Sequence, residues 1–507
     1  MEYWTILLSI VVLFIGILSL HYFYKKFNYF KRHGVLHVPS MPIFGSNMLF
    51  MLHRISFADF LQKLYYFNPD AKYCGFYITT RPMILLRDPE VIRDVCIKSF
   101  DVFPNRLGFI DFNDILFSKN IFSIRGQKWR DVRTLLSPSF TSSKMKTMFT
   151  LMSECAVDFT KSLSEILRDK SDMDMKELFT KYTTDVIASC AFGIKVDSMK
   201  NPTNEFYFYG TEAANFFRKN VLQFFFFRTF PKLAQFLGLR FLSDGASRFF
   251  KDTIKTTIDM RDAKNITRPD MLQLMMDKRG ENKRQLDIDD ITAQAFFFFL
   301  TGFEISSNAM CFIAHEIAAN PDIQTKLRQE FDQILKDSNG NVTCDAINQL
   351  KYLDMVISES LRLYPPVMFV ERECDKAYEL PPALPNEKPV IIQKGQLVWI
   401  PIHSIHCDEK YYDEPEKFRP ERFSTMSSHH KSSYYMPFGI GPRMCIASRF
   451  ALLELKILVF HLLARCELKP CAKTMLPMKF SKLGTRLMPE NGFWLSVQRR
   501  SDIQSDL

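Results

Sequence analysis

Among the 11 cysteines of this 507-residue chain, Cys445 stands where a sulfur would be put to use. It lies in the stretch Pro437 to Glu454, which reads PFGIGPRMCIASRFALLE. Gly439 and Gly441 bracket a sharp turn in which bare backbone can approach a flat ligand with no Cβ in the way. The apolar-periodic run Phe450, Leu452, Leu453, Leu455 and Ile457 follows, so a helix is expected to begin at the sulfur. Amide N–H groups at that helix start, with Arg443 just upstream, favour the thiolate over the thiol. A thiolate is a metal ligand.

Tetrahedral zinc sites draw on closely spaced pairs of ligands, and no second Cys or His stands beside Cys445. A single axial thiolate on haem iron needs no such pair, and it pushes electron density onto the iron so that O–O cleavage is favoured. The plain alternative is a buried structural cysteine in a Gly-rich turn. The spacing of Phe438, Gly441, Arg443 and Cys445 resembles the haem-binding loop of the cytochrome P-450 superfamily, F-x-x-G-x-R-x-C-x-G. Ala447 takes the last glycine's place, which bears on local packing and not on ligation.

Three further constellations appear in the superfamily's order. Gly126 to Arg133 reads GQKWRDVR and sets Trp129 and Arg133 on one helical face, matching W-x-x-x-R. An indole N–H and a guanidinium presented together suit a haem propionate. Lys128 and Arg130, on neighbouring faces, suit an acidic reductase, although a solvated charged face is the default for such residues. Glu359 and Arg362 form E-x-x-R on a helix expected to stop at Pro365-Pro366. The stretch FRPERF then offers Arg422 as the third member of a structural Glu-Arg-Arg triad, a rigid buried network whose implied role is to hold the cysteine loop.

The run Ala293 to Ala319 is a helix-compatible stretch that ends at Asn320-Pro321, a cap and first-turn pair for the next helix. Gly302 and Glu304 in its middle are costly unless the helix opens over a ligand and the carboxylate finds a partner. The run resembles the superfamily's distal helix, A/G-G-x-D/E-T-T/S, with two departures. Thr301 replaces the small first residue, and Ile305 replaces the threonine that in the family helps deliver protons to dioxygen. Isoleucine cannot donate a hydrogen bond. The departures imply either a proton path rerouted through Thr301, Glu304 and water, or leaky oxygen activation that releases peroxide. By the same resemblance Phe298, Ile305, Val367 and Phe369 line the substrate pocket, Arg372 meets a propionate, and the turn Ser481 to Leu487 faces substrate.

These groups need a scaffold, and the rest of the chain supplies its outline. Trp4 to Tyr24 is almost wholly apolar and long enough to cross a bilayer, with Lys25, Lys26, Lys31 and Arg32 directly after it. Residues 1–28 are therefore expected to be a membrane anchor, with 29–507 a catalytic haem domain facing the cytosol. The alternative, a cleaved signal peptide, lacks a clear small-x-small cleavage site. The sequons at Asn265 and Asn341 would then face the wrong compartment and are read as chance matches. Pro39, Pro42 and Gly45 punctuate the exit from the membrane, and Tyr73 to Leu86 reads as a hairpin around Thr-Thr-Arg-Pro. Phe103 to Ser123 covers the pocket by resemblance. The Phe-rich stretch Phe206 to Phe250 reads as a roof that dips into lipid.

Cysteines scattered without paired spacing point to a reducing compartment. The net charge of +10 suits an acidic partner or an anionic membrane, and the basic residues form no nucleic-acid module. The resemblance covers nearly the whole chain and is to insect microsomal P-450 proteins, most of all insect families six and nine. It implies a mainly α fold with a small β region, a triangular helical prism with haem b between the distal helix and the cysteine loop. It also implies an endoplasmic-reticulum enzyme that inserts one atom of O2 into apolar small molecules. NADPH electrons would arrive through cytochrome P-450 reductase, with cytochrome b5 as a further donor. Two other readings share the scaffold: an NADPH-independent peroxide isomerase or dehydratase, and a non-catalytic haem-containing carrier of apolar ligands.

Overall fold

The computed structural model describes residues 2–108, 114–219, 221–279, 286–424 and 433–500. The middle of the expected pocket-covering loop, 109–113, lies outside them.

Helices dominate, and three short sheets sit among them. The principal sheet has four strands in the order Tyr73–Ile78, Arg81–Leu86, Leu397–Ile400, Val370–Glu373. The first two form the expected antiparallel hairpin, turning at Thr79 and Thr80. Leu397–Ile400 joins it in parallel, and Val370–Glu373 closes the sheet antiparallel with Arg372 opposite Val398. That register matters for function, because it fixes where Arg372 emerges. Near the C terminus the strand Trp494–Arg499 pairs with Asp172–Asp174 and Cys466–Lys469.

The distal helix starts at Ile288, capped by the Asp287 carboxylate, and runs to Thr301. It then widens into a π-turn over Gly302–Ser306 before resuming as Ser307–Ala319. Such turns are rare and frequent at functional sites. The local opening expected from Gly302 and Glu304 is thus present. Side chains take up a carbonyl that the widened turn leaves to them: Phe303 O accepts from Ser307 Oγ at 2.7 Å and from Thr183 Oγ1 at 3.0 Å. Gly302 serves a packing need as well, since a Cβ there would lie 3.0 Å from Ile187 Cδ1 on the helix Met175–Ile187.

The distal helix is also apolar and long enough to cross a bilayer, yet its apolar window is 78% buried, which makes it a core helix. The N-terminal helix Glu2–Phe27 is the reverse. Tyr3, Trp4, Ile6, Leu7, Ile10, Val11, Leu13 and Phe14 all stand exposed on it. Asn320-Pro321 does begin the next helix, Pro321–Asp337, and the E-x-x-R helix spans Lys351–Leu363, ending before the two prolines.

Candidate functional site

The cysteine loop is built by backbone hydrogen bonds that bend it back on itself. Cys445 N donates to Phe438 O at 2.8 Å, and Met444 N to Gly441 O at 2.9 Å. Gly439 and Gly441 have φ of 80° and 72°, a region that L side chains rarely adopt. At Gly441 space decides too, but the neighbour differs from expectation. A Cβ there would fall 2.1 Å from the Cys96 carbonyl oxygen, so the glycine lets the loop lie on backbone and not on a ligand. The helix begins at Ser448, later than expected, because Ala447 holds the cap position.

All eleven cysteines are free, and Cys445 alone among them is exposed. Its surroundings are nonetheless dense. Burial raises its pKa, while the Ala447 N–H and the guanidiniums of Arg133 and Arg106 pull the other way. The expectation that Arg443 favours the thiolate is corrected here. Arg443 donates to Pro104 O, Ile124 O and Ile121 O at 2.8, 3.1 and 3.4 Å, and its guanidinium lies 4.0 Å above the Trp129 ring. Trp129 and Arg133 do share a face, with Trp129 buried beneath Arg443 and Arg133 turned toward the sulfur.

Arg106 was not singled out in the sequence, and nothing in its spacing marks it. It donates to Arg443 O at 2.6 Å and lies 4.7 Å from the Phe122 ring centroid. Arg372 donates to Glu371 O at 2.8 Å and Ile440 O at 2.9 Å. Burial, together with repulsion among these cations, depresses Arg106 to about 9 and Arg443 to about 8. The nearby carboxylates are already engaged: Glu371 with Arg228, and Glu373 with Arg125. Arg106 Nε and Arg372 Nε are buried and lack hydrogen-bond partners. Crowded guanidiniums with unspent donors are suited to an anion carrying more than one carboxylate, beside a sulfur that can ligate a metal. That donor set fits haem, whose two propionates supply the missing charge.

Across from these cations the distal helix presents one open stripe. Between Asp290 and Ala318 the helix is buried except at Phe297, Thr301, Gly302 and Ile305, which are partly exposed. Phe122 joins the two sides, stacking on Phe297 at 5.8 Å and on Arg106 by its other contact. Phe298, the expected pocket residue, is instead buried edge-on to Phe140. Helical phase gives the reason, since a position four before Thr301 and eight before Ile305 is 297. Phe369 likewise packs on Trp399 at 4.0 Å and on Phe57, whereas Val367 is exposed. Val370 of that segment borders the cysteine loop, 3.9 Å from where a Gly439 Cβ would be.

Thr301 Oγ1 donates to Phe297 O at 2.8 Å, so its proton is spent on its own helix. Glu304 is 2% exposed and sits between two cations. Lys176 Nζ donates to its Oε2 at 3.0 Å, and Arg486 Nη1 lies 3.1 Å from its Oε1. Neither partner was foreseen, since each is remote in sequence and carries no motif.

Glu359, Arg362 and Arg422 do meet. Arg362 Nε and Nη2 grip Glu359 at 2.8 and 2.9 Å, and Arg422 Nε joins at 2.9 Å. The link onward to the sulfur is His406, another residue given no role in advance. Its Nδ1 lies 3.0 Å from Arg362 O, while Met436 N donates to its Nε2 at 3.0 Å. With Nε2 accepting, the network assigns the ring proton to Nδ1. Burial and Arg362 depress its pKa to about 3, so it is neutral. The triad thereby holds the residue that leads into the cysteine loop.

With this geometry in view, the kinship of the chain follows. The cytochrome P450 family model matches residues 37–497. The chain is 40% identical to "Cytochrome P450 9e2" of Blattella germanica, with 98% of each chain covered. It is 35% identical to "Probable cytochrome P450 9f2" of Drosophila melanogaster, over 94% of this chain and 95% of the relative. It is 33% identical to "Cytochrome P450 6k1" of Blattella germanica, with 96% of each covered. This chain belongs to the cytochrome P450 family, a family of haem monooxygenases, and resembles its insect members of families 9 and 6.

Proposed function

We propose that this P450 inserts one atom of O2 into apolar small molecules, xenobiotics such as insecticides or plant toxins and endogenous lipids among them, with NADPH electrons delivered by a membrane reductase. One observation carries the reading: an exposed Cys445 amid under-compensated guanidiniums, with a partly open distal-helix stripe joined to them through Phe122. Cys445 would hold the haem, Arg106, Arg133, Arg372 and Arg443 would offer positive charge to its carboxylates, and the group would supply the oxygen chemistry. Phe297 and Ile305 give the substrate side an apolar wall that keeps water from the reacting carbon. Glu304 is the buried acid nearest Thr301 and Ile305 and the one placed to pass a proton there.

Residues 1–28 are proposed as the anchor and 29–507 as the catalytic domain on the cytosolic face of the endoplasmic reticulum. Beyond the exposed N-terminal helix, apolar side chains of three further segments support this placement: Ile43, Leu49 and Leu52; Leu233, Phe236 and Leu237; Leu476 and Leu483. Contacts tie the segments together, through the Phe50–Phe225 ring pair at 6.1 Å and His53 Nδ1 at 3.2 Å from Lys482 O. Exposed apolar residues on segments linked in this way suit a lipid boundary.

The decisive measurement is the carbon-monoxide difference spectrum of the reduced protein. A strongly red-shifted Soret band, lost in Cys445→Ser, is the expected result. Retention of that band in Cys445→Ser would overturn the ligand assignment. Product that depends on NADPH and reductase separates the monooxygenase from the alternatives. A peroxide isomerase or dehydratase would turn over without NADPH, and a carrier would bind apolar ligands without turnover.

A further inference from the structure

A cavity of about 220 Å3 lies between the helix Ser142–Ile166, the segment from Leu335 to Val342 that ends the helix Pro321–Asp337, and the last turns of the helix Ser448–Arg465. Sites for drug-sized ligands run to about 300–1,000 Å3, so this one is sized for a smaller molecule. The helix that follows Cys445 has 18 residues, which sets Arg465 about 27 Å from its start. The cavity is therefore separate from the cysteine site.

Its lining divides by chemistry. Val157, Leu335, Val342 and Phe460 present hydrocarbon, whereas Ser153, His461 and Arg465 present polar atoms. His461 and Arg465 stand four residues apart and share a helical face, and Arg465 Nη1 donates to His461 Nδ1 at 3.3 Å. Burial and the adjoining guanidinium depress His461 to about 4, so the ring is neutral and brings Arg465 no counter-charge. Among the described residues Arg465 forms no ion pair with a carboxylate. Asp332, on the neighbouring helix, is held by Arg500 at 2.8 Å, and Arg500 N in turn donates to Arg465 O at 3.0 Å. Ser153 Oγ is buried and has no hydrogen-bond partner among the described residues.

An arginine in the last turn of a helix suits the negative end of the dipole without any ligand. That accounts for the charge but not for a hollow beside it, nor for a hydroxyl left unpaired in that hollow. A guanidinium has five donors, and one neutral acceptor leaves enough of them for a forked carboxylate. We propose that this cavity is a binding site for a small carboxylate with an apolar body, an aryl- or alkylalkanoate, whose carboxylate pairs with Arg465 and Ser153 while its body lies against Phe460, Leu335 and Val342. A bare inorganic anion would give up hydration to hydrocarbon walls that offer it nothing in return. The site is independent of the reaction proposed above.

The test uses full-length holoenzyme with its haem pocket saturated by 4-phenylimidazole, and equilibrium dialysis of 3-phenylpropanoate, 3-phenylpropanamide and acetate. The expected result is a single equivalent of 3-phenylpropanoate bound with the Soret band unmoved. The amide and acetate each bind more weakly by about tenfold or more, the scale of a charge-assisted hydrogen bond or of a buried ring. Arg465→Gln, with its carbon-monoxide band intact, lowers the affinity for 3-phenylpropanoate by a similar factor. Absence of saturable binding at millimolar concentration, an amide or acetate that binds as tightly, or an affinity unchanged in Arg465→Gln overturns the proposal. Should Arg465→Gln lose its haem, Val157→Trp decides: Val157 is 42% exposed, so the indole fills the cavity from its rim without disturbing the core. Loss of 3-phenylpropanoate binding in that variant supports the site, and retention overturns it.

Discussion

At position 305 a hydrocarbon side chain stands where a hydroxyl would pass on a proton, and Thr301 does not make up the difference. Its hydroxyl donates to Phe297 O, so it can accept a hydrogen bond from water but donate elsewhere only by giving up that bond. On the proposed reading Glu304 still carries the proton, and the lack of a free hydroxyl at 301 or 305 makes its delivery leaky. Peroxide released per NADPH is predicted to fall by about tenfold in Ile305→Thr, well inside the hundredfold or more that a positioned proton donor contributes. Equal peroxide yields in the two proteins would show that position 305 is not limiting. At this scale legibility in the sequence followed locality. Cys445, Trp129 with Arg133, and Glu359 with Arg362 were readable because a turn or two of chain sets their spacing. Arg106, Lys176 and Arg486 were not, because only the folded chain brings them to their partners. A long apolar run does not reveal its own phase, and it is Phe297 that shares the partly exposed face with Thr301 and Ile305, while Phe298 is buried.

Among the elements, the E-x-x-R helix, the segment Ile402–His406 and the cysteine loop act as one unit. Glu359 and Arg362 are fully buried and Arg422 nearly so. Removing one partner of such a network leaves charge uncompensated in a poor solvent for it. Arg422→Ala is predicted to cost about 3–5 kcal/mol, read as a lower urea midpoint with the red-shifted carbon-monoxide band lost in parallel. A band that outlasts the stability loss would show that the triad does not hold the loop. The triad was legible because two of its members share a helix and the third lies in a recognisable stretch. His406, its link to Met436, was not, since an isolated histidine carries no spacing signal. The distal helix shows a related limit: Gly302 and Glu304 revealed that it opens, but the supporting Thr183 and Lys176 belong to another helix.

Across the whole molecule, the proposed reading has substrate taken from lipid through the exposed apolar residues of the segments around Leu49, Phe236 and Leu483. In the full-length protein, Phe236→Asp combined with Leu237→Asp is predicted to raise KM for an apolar substrate presented in vesicles by about tenfold, with kcat nearly unchanged. An unaltered KM would mean that the surface plays no part in uptake. The mainly helical plan came with the family resemblance, and the hairpin near the exit from the N-terminal helix was legible from its turn residues. The association of three distant exposed segments was not, because each alone is ordinary.

The His406 bridge also bears on order in time. Met436 reaches it across 30 residues, it reaches Arg362 across 44, and Arg422 reaches Glu359 across 63. During synthesis none of these partnerships can form until the later segment has emerged, and the sulfur's loop is among the last to do so. The helix Glu2–Phe27 emerges before any of them. On the proposed reading, a nascent chain is therefore already moored to its membrane long before it can grip its prosthetic group.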